Sequence, residues 1–285
     1  MMARFWRFPD DSIGKKDRRD LMTDMEATKA LQKKELQMLC DLAEILNRNH
    51  IPFYLACGTA LGCVRHRGFI PWDDDVDIYL MGCDYPRLKD VFATQDTGNL
   101  ALQDGTAVKD YPYTFPKIIA TDTELIETEL AHLDYHCGVY IDVFLLQEAP
   151  RNLAMRFAEE KVRYLRYCML RAYYFEFGTP ARNILHRLTK ALLNPYAIQR
   201  KMLDRYAKRR KNSRFLLDTG TFGKQALLQA EYFQRPAFLR FENASMPIPG
   251  DYDGYLTHYY GDYMTLPKEE ERVSNHSFQI LKIDD

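Results

Sequence analysis

Four carboxylates fall within five positions in the stretch IPWDDDVDIYL, from Ile70 to Leu80: Asp73, Asp74, Asp75 and Asp77. The apolar VDIYL continuation predicts a buried strand. Alternate side chains of a strand share a face, so Asp73, Asp75 and Asp77 are expected to point one way and Asp74, Val76 and Ile78 the other. Like charges this close repel unless a cation lies between them, and hard carboxylate oxygens suit Mg²⁺ or Mn²⁺ holding a phosphate. In VYIDVFL a second lone charge, Asp142, interrupts residues that should be buried. An isolated buried carboxylate is costly, and placing Asp142 beside the first cluster would turn two liabilities into one metal site. The plainer alternatives are a solvated acidic turn for DDDVD, and for Asp142 a strand-end residue that caps a turn or pairs with an arginine.

Upstream, PFYLACGTALG reads as a short strand, a Gly58-Thr59 turn and the start of a helix. Such a turn lets backbone N–H groups and the Thr hydroxyl approach phosphate oxygens at a positive helix terminus. A Gly-Thr pair alone is equally a helix-capping turn; its position carries the argument. Strand, small-residue turn, helix and then an acidic strand about 15 residues later is the layout of nucleotidyltransferases. Between the two motifs lie Arg65, His66 and Arg67, of which Arg65 is the candidate diphosphate clamp because Arg binds phosphate oxygens bidentately. Lys117, alone in FPKIIAT, is placed to reach a phosphate or to snorkel from its strand. His276 is a further candidate for orienting a phosphate or an acceptor.

The elements that must position these residues are legible in outline. Residues 1–23 are charged and aperiodic and predict a loose arm; Leu36, Leu39, Ala43 and Leu46 predict an amphipathic helix from about Asp24 to Asn49. FPKIIAT and GVYIDVFLL predict two further strands. The composition shifts near Pro150. From Arg151 to Arg214 the pattern is helical, with seventeen Lys and Arg against four Asp and Glu, an excess of thirteen positive charges in a chain whose net charge is −1. Beyond it, LLDTGTF and SMPIPGDYDGYLTHYYGDYMTLP predict short strands and a tyrosine-rich turn region. The expected organisation is therefore an α/β (α+β) mixed-sheet core over 24–150, a basic helical elaboration over 151–215 and a return to the catalytic unit over 216–285.

The chain has 285 residues, 46% of them hydrophobic, enough for a sizeable core. Its near-neutral charge gives no reason to expect nucleic acid as a partner. Six scattered cysteines without a CxxC pair form no metal knuckle or redox motif. No signal-peptide-like start and no run of 18 apolar residues is present, so a cytoplasmic protein is expected. The basic segment predicts reversible contact with an anionic surface, such as the inner face of a membrane, through Lys and Arg together with Met155, Phe157, Val162, Leu165, Met169 and Leu170.

GTALGCVRHRGFIPWDDDVDIYL resembles the signature of the LicD family, phosphocholine transferases related to fukutin-type proteins. YIDVFLL is similar to that family's second acidic strand, and FENASMPIPGDYDGYLTHYYGDYMTLPKEEERVSNH to its C-terminal block, so the resemblance covers roughly residues 30–277. It implies a nucleotidyltransferase-like core that moves phosphocholine from CDP-choline to a sugar hydroxyl of a cell-surface glycan precursor, such as lipopolysaccharide or teichoic acid, with release of CMP. On these positions Gly58 and Thr59 fall on the phosphate turn, Asp73, Asp75 and Asp77 on the metal strand, and Asp142 on the second acidic strand. Asp75, Asp77 and Asp142 are then the catalytic carboxylates, with Asp142 a ligand or the base that takes the acceptor proton. Choline is a quaternary ammonium suited to aromatic faces, and Tyr252, Tyr255, Tyr259, Tyr260 and Tyr263 are candidates to surround it. Other readings are another CDP-alcohol donor (ribitol or glycerol phosphate), an NTP-dependent nucleotidyl transfer, and a non-catalytic glycan- or membrane-binding module.

Overall fold

The computed structural model of the chain describes residues 18–130, 132–135, 137–174, 188, 190–208, 213–273 and 278–283. Helix α1 (Arg18–Arg48) leads into β1 (Phe53–Leu55), α2 (Cys57–His66), β2 (Val76–Met81), α3 (Tyr85–Thr94), β3 (Leu100–Gln103), β4 (Lys117–Ala120), β5 (Glu124–Glu127) and β6 (Tyr140–Glu148). The basic segment follows with α4 (Leu153–Tyr174) and α5 (Pro195–Tyr206). The chain then returns through β7 (Phe215–Asp218), β8 (Leu227–Gln229), β9 (Ala237–Phe241), β10 (Ala244–Ile248), α6 (Tyr252–Tyr260) and β11 (Phe278–Lys282). Helices over a mixed sheet make this an α/β fold.

β6 is the centre of the sheet. On one side it pairs in parallel with β2, which pairs antiparallel with β1. On the other side β4 lies antiparallel beside its first half, with β3 beyond, and β7 beside its second half, with β8 beyond. Residues 215–229 therefore re-enter the sheet begun before residue 150. Val76, Ile78 and Leu80 of β2, Ile141, Val143 and Leu145 of β6, and Ile118 and Ala120 of β4 form one wholly apolar face, each at most 1% exposed. α1 packs against β6, burying Met38, Leu39, Leu42 and Leu46, which recur at helical spacing.

The opposite face carries the charges. Parallel register sets Asp77 opposite Asp142, and antiparallel register sets Lys117 opposite Asp142 and Gln103 opposite Lys117. Directly paired residues share a face, so Asp77, Asp142, Lys117 and Gln103 form one polar row across four strands. Such a row amid the core needs mutual pairing to persist.

Three expectations are corrected. Asp73, Asp74 and Asp75 precede β2, which begins at Val76, so the expected alternation with Asp77 does not occur. In a strand Asp74 would have entered the apolar face; instead a turn closed by Asp73 N–H donating to the Ile70 carbonyl (2.9 Å) holds all three outside it. α1 starts at Arg18, inside the expected arm, because RRDLMTDMEATKA contains no helix breaker. The tyrosine-rich block is helical: Asp251 caps α6 by accepting from Gly254 N–H, and Gly261, at φ +68°, ends it.

Candidate functional site

α2 begins immediately after β1, and its first turn holds no acidic residue and no capping side chain. Cys57 takes φ +45° to enter the helix, and its N–H donates to the Tyr255 hydroxyl (2.9 Å). A side chain at Gly58 would put its Cβ 2.7 Å from Asp73 Oδ2. The acidic run therefore lies directly on the positive end of α2, the favourable place for negative charge. The Thr59 hydroxyl is turned inward: it accepts the Asp77 N–H (2.8 Å) and ties α2 to β2.

Asp73, Asp74 and Asp75 bring carboxylate oxygens within 4.8 Å of one another, and among the described residues this is the group close enough to hold a metal ion. The expected metal set was Asp73, Asp75, Asp77 and Asp142. Asp74 takes part in the observed group, whereas Asp77 and Asp142 lie beyond it, side by side on the strands. The cluster still belongs to one site. The charge of Asp75 bears on Cys57, Tyr140 and Tyr260, while Tyr260 is pushed well up by burial and by the charges around it, including Asp73, Asp77 and Asp75. The turn that carries the cluster is clamped twice. Gln32 of α1 donates to the carbonyls of Ile70 (3.2 Å) and Asp73 (2.8 Å), and Glu242, between β9 and β10, accepts from Phe69 N–H (3.0 Å).

Lys117 is fully buried and does not extend to solvent. Its Nζ lies 2.8 Å from Asp142 Oδ1 and 3.9 Å from Glu127, over the rings of Tyr140 (3.2 Å) and Tyr113 (4.1 Å). Burial works against the ammonium, but the Asp142 and Glu127 charges outweigh it and hold Lys117 above its ordinary value. Arg65 stands at the other side of the cluster. Its Nη1 donates to the Tyr263 carbonyl (2.9 Å); burial lowers its pKa, and Tyr260, Asp73 and Arg272 are its titratable neighbours. Arg272 also lies over the Trp72 ring at 5.5 Å. His276 falls outside the described residues.

Below the α2 terminus is a buried network centred on Asp218. Tyr79 donates to Asp218 Oδ2 (2.9 Å), Tyr259 donates to the same oxygen, and Gly220 N–H donates to Oδ1 (2.7 Å). Tyr255 links this group to the turn by donating to the Tyr79 hydroxyl (3.4 Å) while accepting from Cys57 N–H. Tyr255 and Tyr259 are thus core residues and are removed from any choline-binding cage, leaving Tyr260 as the member of the expected five that faces the acidic cluster. Asp218, buried beneath the α2 terminus, and Arg272, beside Arg65, are residues near the candidate site that the sequence reading did not name. For Asp218 the signal existed: a lone charge in the apolar run LLDTG, the same pattern that identified Asp142.

Residues 50–170 match the family model described as LicD/FKTN/FKRP, nucleotidyltransferase domain. Across 273 residues, 87% of this chain and 97% of the relative, it is 27% identical to the lipopolysaccharide cholinephosphotransferase LicD of Haemophilus influenzae. Both matches point to the LicD family. It is also 44% identical over 55 residues to the uncharacterized protein RP689 of Rickettsia prowazekii, 19% of this chain and 21% of that one. The LicD-model segment contains α2, the acidic cluster, Asp77, Lys117 and Asp142; Asp218, Tyr255, Tyr259 and Arg272 lie outside it.

Two stability measurements test this geometry. Lys117→Met leaves Asp142 beside the core without its cation and is expected to cost about 3 kcal/mol or more, whereas Lys117→Met/Asp142→Leu recovers part of that loss. Urea unfolding would contradict the pairing if the double variant were as unstable as the sum of both singles. Burial raises the Asp218 carboxyl despite the hydrogen bonds from Tyr259, Gly220 and Tyr79 and the charge of Arg163. A carboxyl raised in the folded state contributes most below its unfolded value of about 3.9 and loses that contribution as pH rises through the folded value. The stability of wild type relative to Asp218→Asn should therefore fall as the pH rises from about 4 through the raised folded-state value. A constant or growing difference would mean that the donors hold Asp218 ionised.

Proposed function

We propose that this chain is a phosphotransferase that moves phosphocholine from CDP-choline to a sugar hydroxyl of a cell-surface glycan or its lipid-linked precursor, releasing CMP. The observation that carries the reading is the cluster of Asp73, Asp74 and Asp75, with Asp73 packed against Gly58 at the N-terminus of α2, inside the segment that matches the LicD nucleotidyltransferase model. The name of the Haemophilus relative supports the cargo. All its polar partners are of the kind that phosphoryl transfer needs, since that chemistry rests on positioning and on neutralising charge.

Asp73, Asp74 and Asp75 are the residues that would hold Mg²⁺ or Mn²⁺, because oxygen donors this close suit a hard cation. When bound there, the ion would neutralise charge on the diphosphate and on the leaving phosphate. The chain's own residues do the rest. Backbone N–H groups at Gly58 and Thr59 orient phosphate oxygens, and Arg65 and Arg272 flank them as fixed positive charges. Asp142 is ion-paired with Lys117 and so engaged within the sheet. Its role is accordingly to fix the floor of the site, and the acceptor proton goes to Asp75 or Asp77.

The test is incubation with a panel of CDP-alcohols (choline, ribitol, glycerol), an NTP control, Mg²⁺ and an acceptor glycan. Release of CMP with CDP-choline alone is expected, while preference for CDP-ribitol or CDP-glycerol would move the cargo but keep the chemistry. Pyrophosphate from an NTP would contradict the reaction type. Asp75→Asn and Asp77→Asn should each lower CMP release by roughly a hundredfold or more while leaving the fold as stable or more stable, because each removes like-charge repulsion. Activity within a few-fold of wild type in both would remove them from the catalytic set.

A further inference from the structure

The outer side of α4 has no role in the site described above, and its composition is unusual for a surface. Leu153, Met155, Phe157, Val162 and Leu165 are between 40% and 71% exposed, with the exposed Lys161 among them. At about 100° per residue these six side chains fall within roughly 200° of the helix circumference, so they form one continuous face. Monomeric proteins seldom leave an apolar face of this kind uncovered.

Of the two acids of α4, Glu159 is turned inward, and Glu160, at the Leu153 margin of the arc, is engaged by its neighbours. Glu159 is buried and pairs with Arg205 of α5; Glu160 pairs with Arg163 (2.6 Å) and accepts from Gly223 N–H (2.8 Å). Arg163, itself buried, donates to the Asp218 carbonyl. Arg163 and Arg205 are therefore structural cations and take no part in the expected surface contact, and Leu170, expected on that surface, is buried. What remains on the outer side is apolar and cationic, with the ion-paired Glu160 as the nearest carboxylate of the helix: Lys161 within the face, Arg151 exposed just before the helix, and Arg166 and Arg171 at the two margins of the arc.

We propose that the outer face of α4 docks the protein onto an anionic membrane surface, with the helix lying in the headgroup plane. The charge selects the occupant: an apolar strip alone would suit any protein partner, but a strip bordered by cations, on a helix whose two acids are both ion-paired, matches anionic headgroups over acyl chains. Among the described residues no helix is long and apolar enough to cross a membrane, so the contact is peripheral. It concerns where the protein sits and stands independently of which donor it uses.

Co-sedimentation of the full chain with vesicles tests it. Binding is expected to phosphatidylcholine vesicles containing phosphatidylglycerol, to weaken markedly when salt rises from about 0.1 M to about 1 M, and to be absent with phosphatidylcholine alone. Phe157→Ser/Leu165→Ser should reduce the partition coefficient at least about tenfold, and Arg151→Glu/Lys161→Glu should abolish salt-sensitive binding. CMP release on a soluble acceptor and the circular dichroism spectrum should be unchanged in both variants, since none of these residues belongs to the site or the core. Equal binding to neutral vesicles, no binding to either, or wild-type binding by the Phe157/Leu165 variant would overturn the proposal. So would a wild-type dimer in solution that the same variant dissolves without any vesicle binding, which would assign the face to a second copy of the chain.

Discussion

Three carboxylates confined within 4.8 Å set the constraint on which the rest of the arrangement depends. At that separation the charges oppose one another, and a free loop would relax by spreading them apart. The turn from Ile70 to Asp75 cannot relax, because Gln32 grips two of its carbonyls from α1 and Glu242 holds Phe69 from the β9–β10 turn. Gly58 lets Asp73 approach closely, since a side chain there would displace its carboxylate. Elements from the start, middle and end of the chain thus hold one unfavourable cluster in place, and the uncapped terminus of α2 offsets part of its charge.

Charge is managed differently below the surface. The polar face of the sheet keeps Lys117 between Asp142, Glu127 and the rings of Tyr113 and Tyr140, so a cation that burial would neutralise stays ionised. One step along the same face, Asp218 gathers Tyr79, Tyr259 and Gly220, and Tyr255 carries that order up to the first N–H of α2. Buried networks of this sort give geometric precision when every member is satisfied and are costly when one is lost. The sheet consequently presents an apolar face that supplies stability and a polar face that supplies position.

Much of this was legible in the residues, and the misses have physical causes. The acidic run, the small-residue turn and the lone Asp142 were identified because charge in an apolar stretch demands an explanation. The start of β2 was misplaced because period-two alternation was extended backwards through Asp75, where three adjacent charges favour a turn over a strand. Asp218 escaped although it sits in LLDTG as Asp142 sits in YIDVF. Asp251 and Gly261 frame α6 with ordinary capping chemistry, but the Gly, Asp and Tyr content of that block reads as turn. Arg272 approaches the site through tertiary structure alone, and no local spacing announces it. The basic segment was read by composition, which counts Arg163 and Arg205 with the surface cations although both are structural.

The central claim is that the cluster on α2 is held against its own repulsion so that it can receive a divalent cation together with a diphosphate. Thermal unfolding across a Mg²⁺ or Mn²⁺ titration, with and without CDP-choline, measures this without depending on turnover. The account predicts that the wild-type midpoint rises with metal and rises further with metal and nucleotide together. Asp73→Asn/Asp75→Asn should start from a higher midpoint and respond to neither. A wild-type midpoint indifferent to both ions, with the double variant no more stable than the parent, would contradict it.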